Sequence, residues 1–321
     1  MHATWGLVVI EALLQTVLNG AASGGVYALV ALGYTLVFSV LGVINFAQGA
    51  LFSIGGYLTF LLMGGRIGVN GALPGWGLPA GLPFWLALLL AATGSGLVGL
   101  VVERVAFAPL RRRGAEPLLA LITSLGAGVV LVNLLQILMG AEGYAFPQGA
   151  DALAGLPDAL VISGARIRTI LLLLLLVSAV AVAALTLWLE RSKDGHALRA
   201  VAEDSTTAQL LGINSEAMIR LAFFISGALA GLGGGLIGVS VSLPGPYFGI
   251  GYGLKGLAVL VLGGLGSVPG AIAGGLLMGL AEAVVPSEAS GWRDALAFAI
   301  LFAVLLLRPS GLLGRRHVEK V

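Results

Sequence analysis

No cysteine occurs in the 321 residues. Disulfides, thiolate metal sites and cysteine nucleophiles are thereby excluded. Histidine is nearly as scarce. His2, His196 and His317 lie far apart and near polar ends, which argues against a metal cluster or a catalytic imidazole. Charge is the third scarcity: Asp, Glu, Lys and Arg make up 10% of the chain, against about 25% in a soluble domain. From Ala12 to Gly65 there is none at all. As a helix, that run would extend roughly 80 Å at about 1.5 Å per residue, more than twice a hydrocarbon core of about 30 Å. No Gly-x-x-x-x-Gly-Lys-Ser/Thr phosphate loop is present, so the chain carries no ATPase of that type.

What remains is apolar. Hydrophobic residues are 58% of the sequence, mean hydropathy is +1.04, and 50 residues are glycine. Backbone polar groups in lipid must be satisfied internally, which leaves helices or closed barrels. Continuous runs such as Thr169–Leu189 do not alternate and so read as helices. Abundant glycine suits membrane helices, whose backbones then approach closely. The apolar blocks fall near 8–41, 44–64, 83–103, 117–139, 169–190, 219–243, 254–285 and 292–307. The first and seventh are long and glycine-rich, each fit for two short spans or for a span plus a re-entrant piece. The expected fold is an all-α, polytopic integral membrane bundle of about eight to ten crossings, forming one domain over residues 1–321. Met1 to Glu11 lacks Lys and Arg, and no small-residue cleavage site follows a short apolar core, so a mature protein without a secretory signal is expected.

Basic residues set the orientation. Twelve of the 17 Lys and Arg fall in three places: Arg104 with Arg111, Arg112 and Arg113; Arg191, Lys193, Arg199 and Arg220; and Arg308, Arg315, Arg316 and Lys320. All three are expected in the cytoplasm. The connections at 66–82, 140–168 and 244–252 then face outward; Glu142, Asp151 and Asp158, with Pro147 and Pro157, suit an outer surface. Val40–Gly56 weakly resembles Val261–Leu277, the kind of internal repeat from which transporters are built.

The most informative polar stretch is Arg191–Arg220. Asp194 is the expected N-cap of a helix from about Gly195. Ala197, Val201, Ala208 and Leu211 recur at helical spacing as a narrow apolar stripe, and Gly212 follows where a helix stops. Glu203, Asp204 and Gln209 lie off the stripe. A helix on lipid usually carries Lys or Arg and large apolar anchors. This one has an acidic pair and small apolar residues, which fits a groove on a protein; an ordinary connecting loop is the alternative.

AEDSTTAQLLGIN at 202–214 resembles the cytoplasmic loop of permease subunits of branched-chain amino acid ABC importers, the LivH/LivM family, and the H type in particular. INFAQG at 44–49, ERVAFAPLR at 103–111, VLGGLGSVPGAIAGG at 261–275 and RPSGLLGR at 308–315 are similar to further family segments in the same order. The resemblance implies a membrane-spanning subunit that works with a second permease (M-type, or a second copy), two cytosolic ATP-binding subunits and a periplasmic or extracellular amino-acid binding protein. It implies no cofactor on this chain, ATP being used by the partners, no nucleic-acid partner, and a place in the bacterial cytoplasmic (inner) membrane. Ala202, Glu203, Asp204, Leu211, Gly212 and Asn214 would belong to the segment that couples to the ATPase: Leu211 filling a groove, Gly212 making the turn, the acidic pair meeting polar partners. Gln48 stands where the family often has His, Ala50 where an acidic residue is common, and Ala108 where Arg is frequent; these departures bear on specificity.

Polar side chains inside apolar blocks face the bundle interior or a cavity. The pathway candidates are Asn19, Tyr27, Asn45, Gln48, Ser53 and Tyr57, with Ser23, Tyr34, Asn133 and Gln136 as further members; interhelical hydrogen bonding is the competing role for each. Lys255 is an isolated cation expected to snorkel to the interface, with contact to a substrate carboxylate as the alternative. Glu103 and Arg104 suggest an ion pair at a span end, and Glu282 is a further pathway candidate. Gly249, Gly251 and Gly253 lack the strand that a dinucleotide loop needs and read as flexible membrane-edge residues. An ion- or proton-coupled secondary transporter or channel for small neutral solutes is the second reading, but it calls for intramembrane carboxylates, which are nearly absent. An intramembrane enzyme is the third reading; it needs a nucleophile–base or metal constellation, and the sparse histidine and absent cysteine argue against one.

Overall fold

The computed structural model describes residues 2–146, 159–162, 165–286, 289 and 291–314. Twelve α-helices dominate it: α1 (His2–Leu41), α2 (Gln48–Leu62), α3 (Phe84–Val102), α4 (Ala108–Arg112), α5 (Pro117–Met139), α6 (Thr169–Arg191), α7 (Lys193–Glu203), α8 (Ser205–Leu210), α9 (Ser215–Val241), α10 (Phe248–Gly263), α11 (Val268–Val284) and α12 (Trp292–Leu307). A π-helical turn, Glu103–Phe107, joins α3 to α4. One departure from an all-α fold is a short antiparallel hairpin of β1 (Ala159–Ile162) and β2 (Ala165–Arg168). Asp151, Asp158, Pro147, Pro157, Arg315, Arg316, His317 and Lys320 lie outside the described residues.

Among the described residues, five segments are long and apolar enough to cross a membrane: Leu13–Leu41, Phe84–Arg112, Pro117–Met139, Thr169–Arg191 and Ser215–Val241. A sixth is formed if α10 and α11, bent by 120° at their junction, count as one span. The first apolar block is a single helix, about 60 Å long at 1.5 Å per residue, and not two spans. The seventh begins earlier than its hydropathy implies, at Phe248, and breaks at Gly264 (φ +108) and Gly266 (φ +77), where the left-handed backbone ends α10.

One three-helix unit occurs twice in the molecule. α1 stops at Leu41 and α9 at Val241; after each, the chain runs irregularly for six residues before a new helix starts at Gln48 and at Phe248. The stops share their geometry. Gly42 (φ +67) donates its amide to Phe38 O at 2.8 Å, and Ser242 (φ +76) donates to Gly238 O at 2.8 Å. α1 and α9 run antiparallel, Gly33 packing on Ser226 and Gly233 on Val26. α3 packs on α9 through Gly96 and Gly99 against Phe224 and Phe223, and α11 packs on α1 through Gly275 and Gly279 against Ala28, Gly24 and Gly20. Thus α1–α2–α3 and α9–α10–α11 are related as inverted repeats. The counterpart of Val40–Gly56 is the stretch 240–256, and not Val261–Leu277. The latter match reflects shared glycine content at the α10–α11 turn.

Ser242 alone among the described non-glycine residues has positive φ. At φ +76 and ψ 173 it occupies a region that is essentially glycine's, at a cost of about 1–3 kcal/mol for a residue with a Cβ. Ser242→Gly is therefore expected to raise the melting temperature of the purified protein while leaving uptake intact. A lowered melting temperature would show that the Ser242 hydroxyl matters more than the backbone.

Candidate functional site

Two short helices, α2 and α10, start inside the bundle, and most of the polar candidates gather where they meet. Gly49 and Gly249 touch backbone to backbone: a Cβ on Gly49 would stand 2.8 Å from the Gly249 carbonyl oxygen. Gly253 packs on Gly49 as well, whereas a Cβ on Gly251 would meet nothing within 4 Å. Close approach, not flexibility, is what Gly249 and Gly253 supply.

Gln48 Nε2 donates to Ser226 O at 3.1 Å, and Ser226 Oγ lies 2.9 Å from Gln48 Oε1 and 2.8 Å from Gly33 O. This ties the root of α2 to α9 and α1. Ser53 Oγ accepts from Gly249 N at 3.0 Å and so binds α2 to the first turn of α10. Asn45 Oδ1 accepts from Ala47 N at 3.1 Å, while its buried Nδ2 meets no partner among the described residues. Tyr57 sits further along α2, its ring edge-on to Tyr144 at 5.8 Å and its buried hydroxyl without a partner among the described residues. Asn19 is half-buried beside Gly20, which packs on Leu280 of α11, and lies apart from this junction.

Lys255 does not snorkel. Its Nζ is 3.0 Å from Glu282 Oε1, an ionic contact without hydrogen-bond alignment, and 2.8 Å from Asp294 Oδ1. Tyr27 completes the cluster: its hydroxyl donates to Glu282 Oε2 at 2.6 Å, and its ring lies 5.5 Å from Nζ. The cluster joins α1, α10, α11 and α12. Burial selects pairing because a lone ammonium or carboxylate in such surroundings is costly. Glu103 is likewise buried and pairs with Arg111 at 3.0 Å, about two helical turns beyond its sequence neighbour Arg104.

At the arginine-bearing end, the polar stretch between α6 and α9 is two helices rather than one. Ser192, not Asp194, caps α7, its Oγ accepting from Gly195 N at 2.9 Å. Asp204 breaks the run. Its carboxylate accepts from Thr206 N at 2.8 Å, Thr207 N at 3.2 Å and Thr207 Oγ at 2.6 Å, and so caps α8. Such local side-chain bonds compete with helix continuation. The Thr207 hydroxyl, then the two amides, hold the Asp204 carboxyl below its ordinary pKa. The cap is therefore in place at neutral pH and is lost only as the pH falls through that lowered value.

The break rotates the stripe. Leu198, Val201 and Ala208 face the protein's own interior, Ala197 is half-buried, and Leu211 is 76% exposed beside Leu210 at 84%. Leu210, which the helical periodicity passed over, thus joins Leu211 as a projecting apolar pair. Gly212 (φ +85) donates to Gln209 O at 2.9 Å, and Ile213 donates to Ala208 O at 3.0 Å. Asn214 then caps α9, accepting from Ala217 N at 3.1 Å. Ala202 is half-buried, and Glu203 is exposed at the end of α7.

Residues 16–306 match the family described as "Branched-chain amino acid transport system / permease component". The chain belongs to that family. It is 38% identical over 311 residues to the high-affinity branched-chain amino acid transport system permease protein LivH of Escherichia coli (strain K12), covering 96% of this chain and 97% of that one. To the permease protein BraD of Pseudomonas aeruginosa it is 38% identical over 320 residues, covering 96% and 98%. To the permease protein LivM of Salmonella typhimurium it is 26% identical over 309 residues, covering 90% and 68%. No solved structure matches. The family member is thus a multi-pass membrane permease component, not an enzyme.

Proposed function

We propose that this chain forms one wall of a binding-protein-dependent ABC importer that moves branched-chain, hydrophobic amino acids into the cytoplasm. Its partners are an M-type permease or a second copy, two cytosolic ATPases, and a periplasmic or extracellular binding protein. The chain binds no cofactor itself; ATP is consumed by the partners. It resides in the bacterial cytoplasmic (inner) membrane as a single domain over 1–321, with the coupling loop at 191–220 on the cytoplasmic side. Nine passages, α1, α2, α3, α5, α6, α9, α10, α11 and α12, would bring the arginine-bearing ends of α3, α6 and α12 to that one side, in line with the excess of cytoplasmic Lys and Arg in membrane proteins.

The observation that carries this reading is the family match together with the projecting Leu210–Leu211 pair. An apolar pair on an amphipathic turn suits a hydrophobic groove, and this turn leads directly into α9. Movement of the turn would reach the α2–α9 junction through Ser226 and Gln48. The pathway itself fits the face where Asn133 and Gln136 of α5 meet 244–247: Tyr247 OH donates to Asn133 Oδ1 at 3.2 Å, and Gln136 and 244–247 line a cleft of about 440 Å³. Irregular backbone at membrane depth needs water or protein beside it, and a second permease with substrate between the two would supply both.

Gly212→Val tests the coupling role. A Cβ there meets nothing within 4 Å, so no clash arises; the cost is the left-handed backbone, about 1–2 kcal/mol, enough to depopulate the native turn roughly tenfold. In the reconstituted importer, uptake of leucine per ATP hydrolysed is expected to fall by about that factor with normal insertion, and Gly212→Asn, which tolerates this conformation, to fall less. Unchanged coupling in Gly212→Val would remove the assignment.

A further inference from the structure

Where α3 ends and α9 begins, five guanidinium groups surround one cavity of about 440 Å³: Arg104, Arg111, Arg112, Arg113 and Arg220. Two carboxylates answer them. Glu103 pairs with Arg111 at 3.0 Å, and Glu216 with Arg112 at 3.5 Å across the cavity mouth. Arg104 and Arg113 have no carboxylate partner among the described residues, and Nη1 of Arg111 is buried without an acceptor. A bias toward Lys and Arg on one side of a membrane requires basic residues at that side; it does not require them to converge on one concavity or to bury an unsatisfied donor.

Beside the cavity runs exposed apolar surface. Leu97, Val101 and Val105 stand on one face of α3 and its π-helical turn, 57%, 57% and 70% exposed, and Arg104 precedes Val105. A π-helical turn is uncommon and frequently marks a functional position; here it carries Arg104 and the buried Glu103 into the lining of the cavity. A basic concavity joined to an apolar stripe is complementary to an amphiphile with an anionic head. Leu97–Val105 lies within the span Phe84–Arg112, out of reach of a cytosolic partner, and the exposed Leu210–Leu211 pair suited to such a partner lies on a separate helix.

We propose that this cavity binds the phosphate of an anionic phospholipid in the same leaflet, with the acyl chains along Leu97, Val101 and Val105. Guanidinium forks match phosphate oxygens bidentately, and basic pockets between helices on the cytoplasmic side take such headgroups. The bound phosphate supplies the acceptor that Arg111 Nη1 lacks and, through Arg220, ties the end of α3 to the second turn of α9, close to the coupling turn. The proposal rests on the membrane orientation given above and is independent of which amino acid is carried.

The whole importer is to be placed in nanodiscs of phosphatidylcholine with and without phosphatidylglycerol, and retained lipid counted by native mass spectrometry, with leucine uptake followed in parallel vesicles. At least one phosphatidylglycerol per copy of this chain is expected to be retained in preference to phosphatidylcholine. The paired change Arg104→Gln/Arg113→Gln is expected to weaken retention on the order of tenfold, whereas Arg191→Gln/Lys193→Gln, at the same end of the molecule, leaves it unchanged. Equal retention by the two double variants, or no preference for the anionic lipid, would overturn the proposal. Displacement by inorganic phosphate at any lipid composition would assign the phosphate to solution and overturn the lipid. If the Gln pair fails to assemble, Arg104→Lys/Arg113→Lys keeps the charge and loses the fork, and intermediate retention is expected; wild-type retention would count against it. Loss of uptake in all lipids with lipid retention intact would strike the transport reading alone.

Discussion

Lys255→Met is expected to destabilise the protein by about 3–5 kcal/mol, the cost of removing one member of a buried ion pair. Glu282 is nearly fully buried, and the methionine would leave its carboxylate facing only the Tyr27 hydroxyl. Asp294 is largely exposed and would lose far less. The cost is thus assigned to Glu282, which makes a compensating change specific. Lys255→Met/Glu282→Met replaces charge with apolar volume and is expected to recover most of the loss, since buried pairs exchanged for well-packed apolar residues are often neutral. Lys255→Met/Asp294→Asn should recover little. The measurement is thermal unfolding of the detergent-purified wild type and the three variants. A melting temperature for Lys255→Met close to wild type would mean that water or lipid headgroups reach Lys255 and Glu282 and that the cluster is not a buried latch.

Hydropathy and charge placement carried much of the architecture. The helices α3, α5, α6 and α12 fall within a few residues of their apolar blocks, because each is a single run between polar ends. Chain breaks were less legible. The stop at Leu41 and the break at Gly264 depend on positive φ, and a chain with 50 glycines does not announce which of them adopt it. The repeat was misaligned for a related reason. Inverted halves place equivalent positions in opposite environments, so Gln48 and Phe248 share a backbone role but no chemistry.

Single residues divide the same way. Gln48 and Ser53 were legible as interior polar groups, but their partners, Ser226 and Gly249, are some two hundred positions away. Lys255 stood out as a lone cation because Glu282 and Asp294 are distant in sequence. Helical periodicity places Asp204 off the apolar stripe of a helix; the signal for its capping role is the Ser-Thr-Thr that follows it, which offers amides and a hydroxyl to its carboxylate.

Gly234→Val is expected to abolish folded protein. At Gly55 and Gly234, α2 and α9 meet backbone to backbone: a Cβ on Gly234 would fall on the Phe52 carbonyl oxygen, and one on Gly55 on the Gly231 Cα. Neither neighbour is a flexible side-chain tip, so relief requires the helices to separate. Separation by the thickness of a methyl group would break the Gln48–Ser226 bonds and the contact of Ser95 Oγ with Leu51 O at 2.8 Å. Ordinary overpacking costs about 1–3 kcal/mol; backbone-on-backbone overlap together with lost buried hydrogen bonds exceeds that range. Gly251→Ala is the matched control, since its Cβ meets nothing, and it is expected to be neutral or mildly stabilising because Ala is the better helix former. The monodisperse fraction on size exclusion reads both. A monodisperse, thermally stable Gly234→Val would require a gap between α2 and α9, and the inverted-repeat packing that places both pairs of half-helices would fall with it.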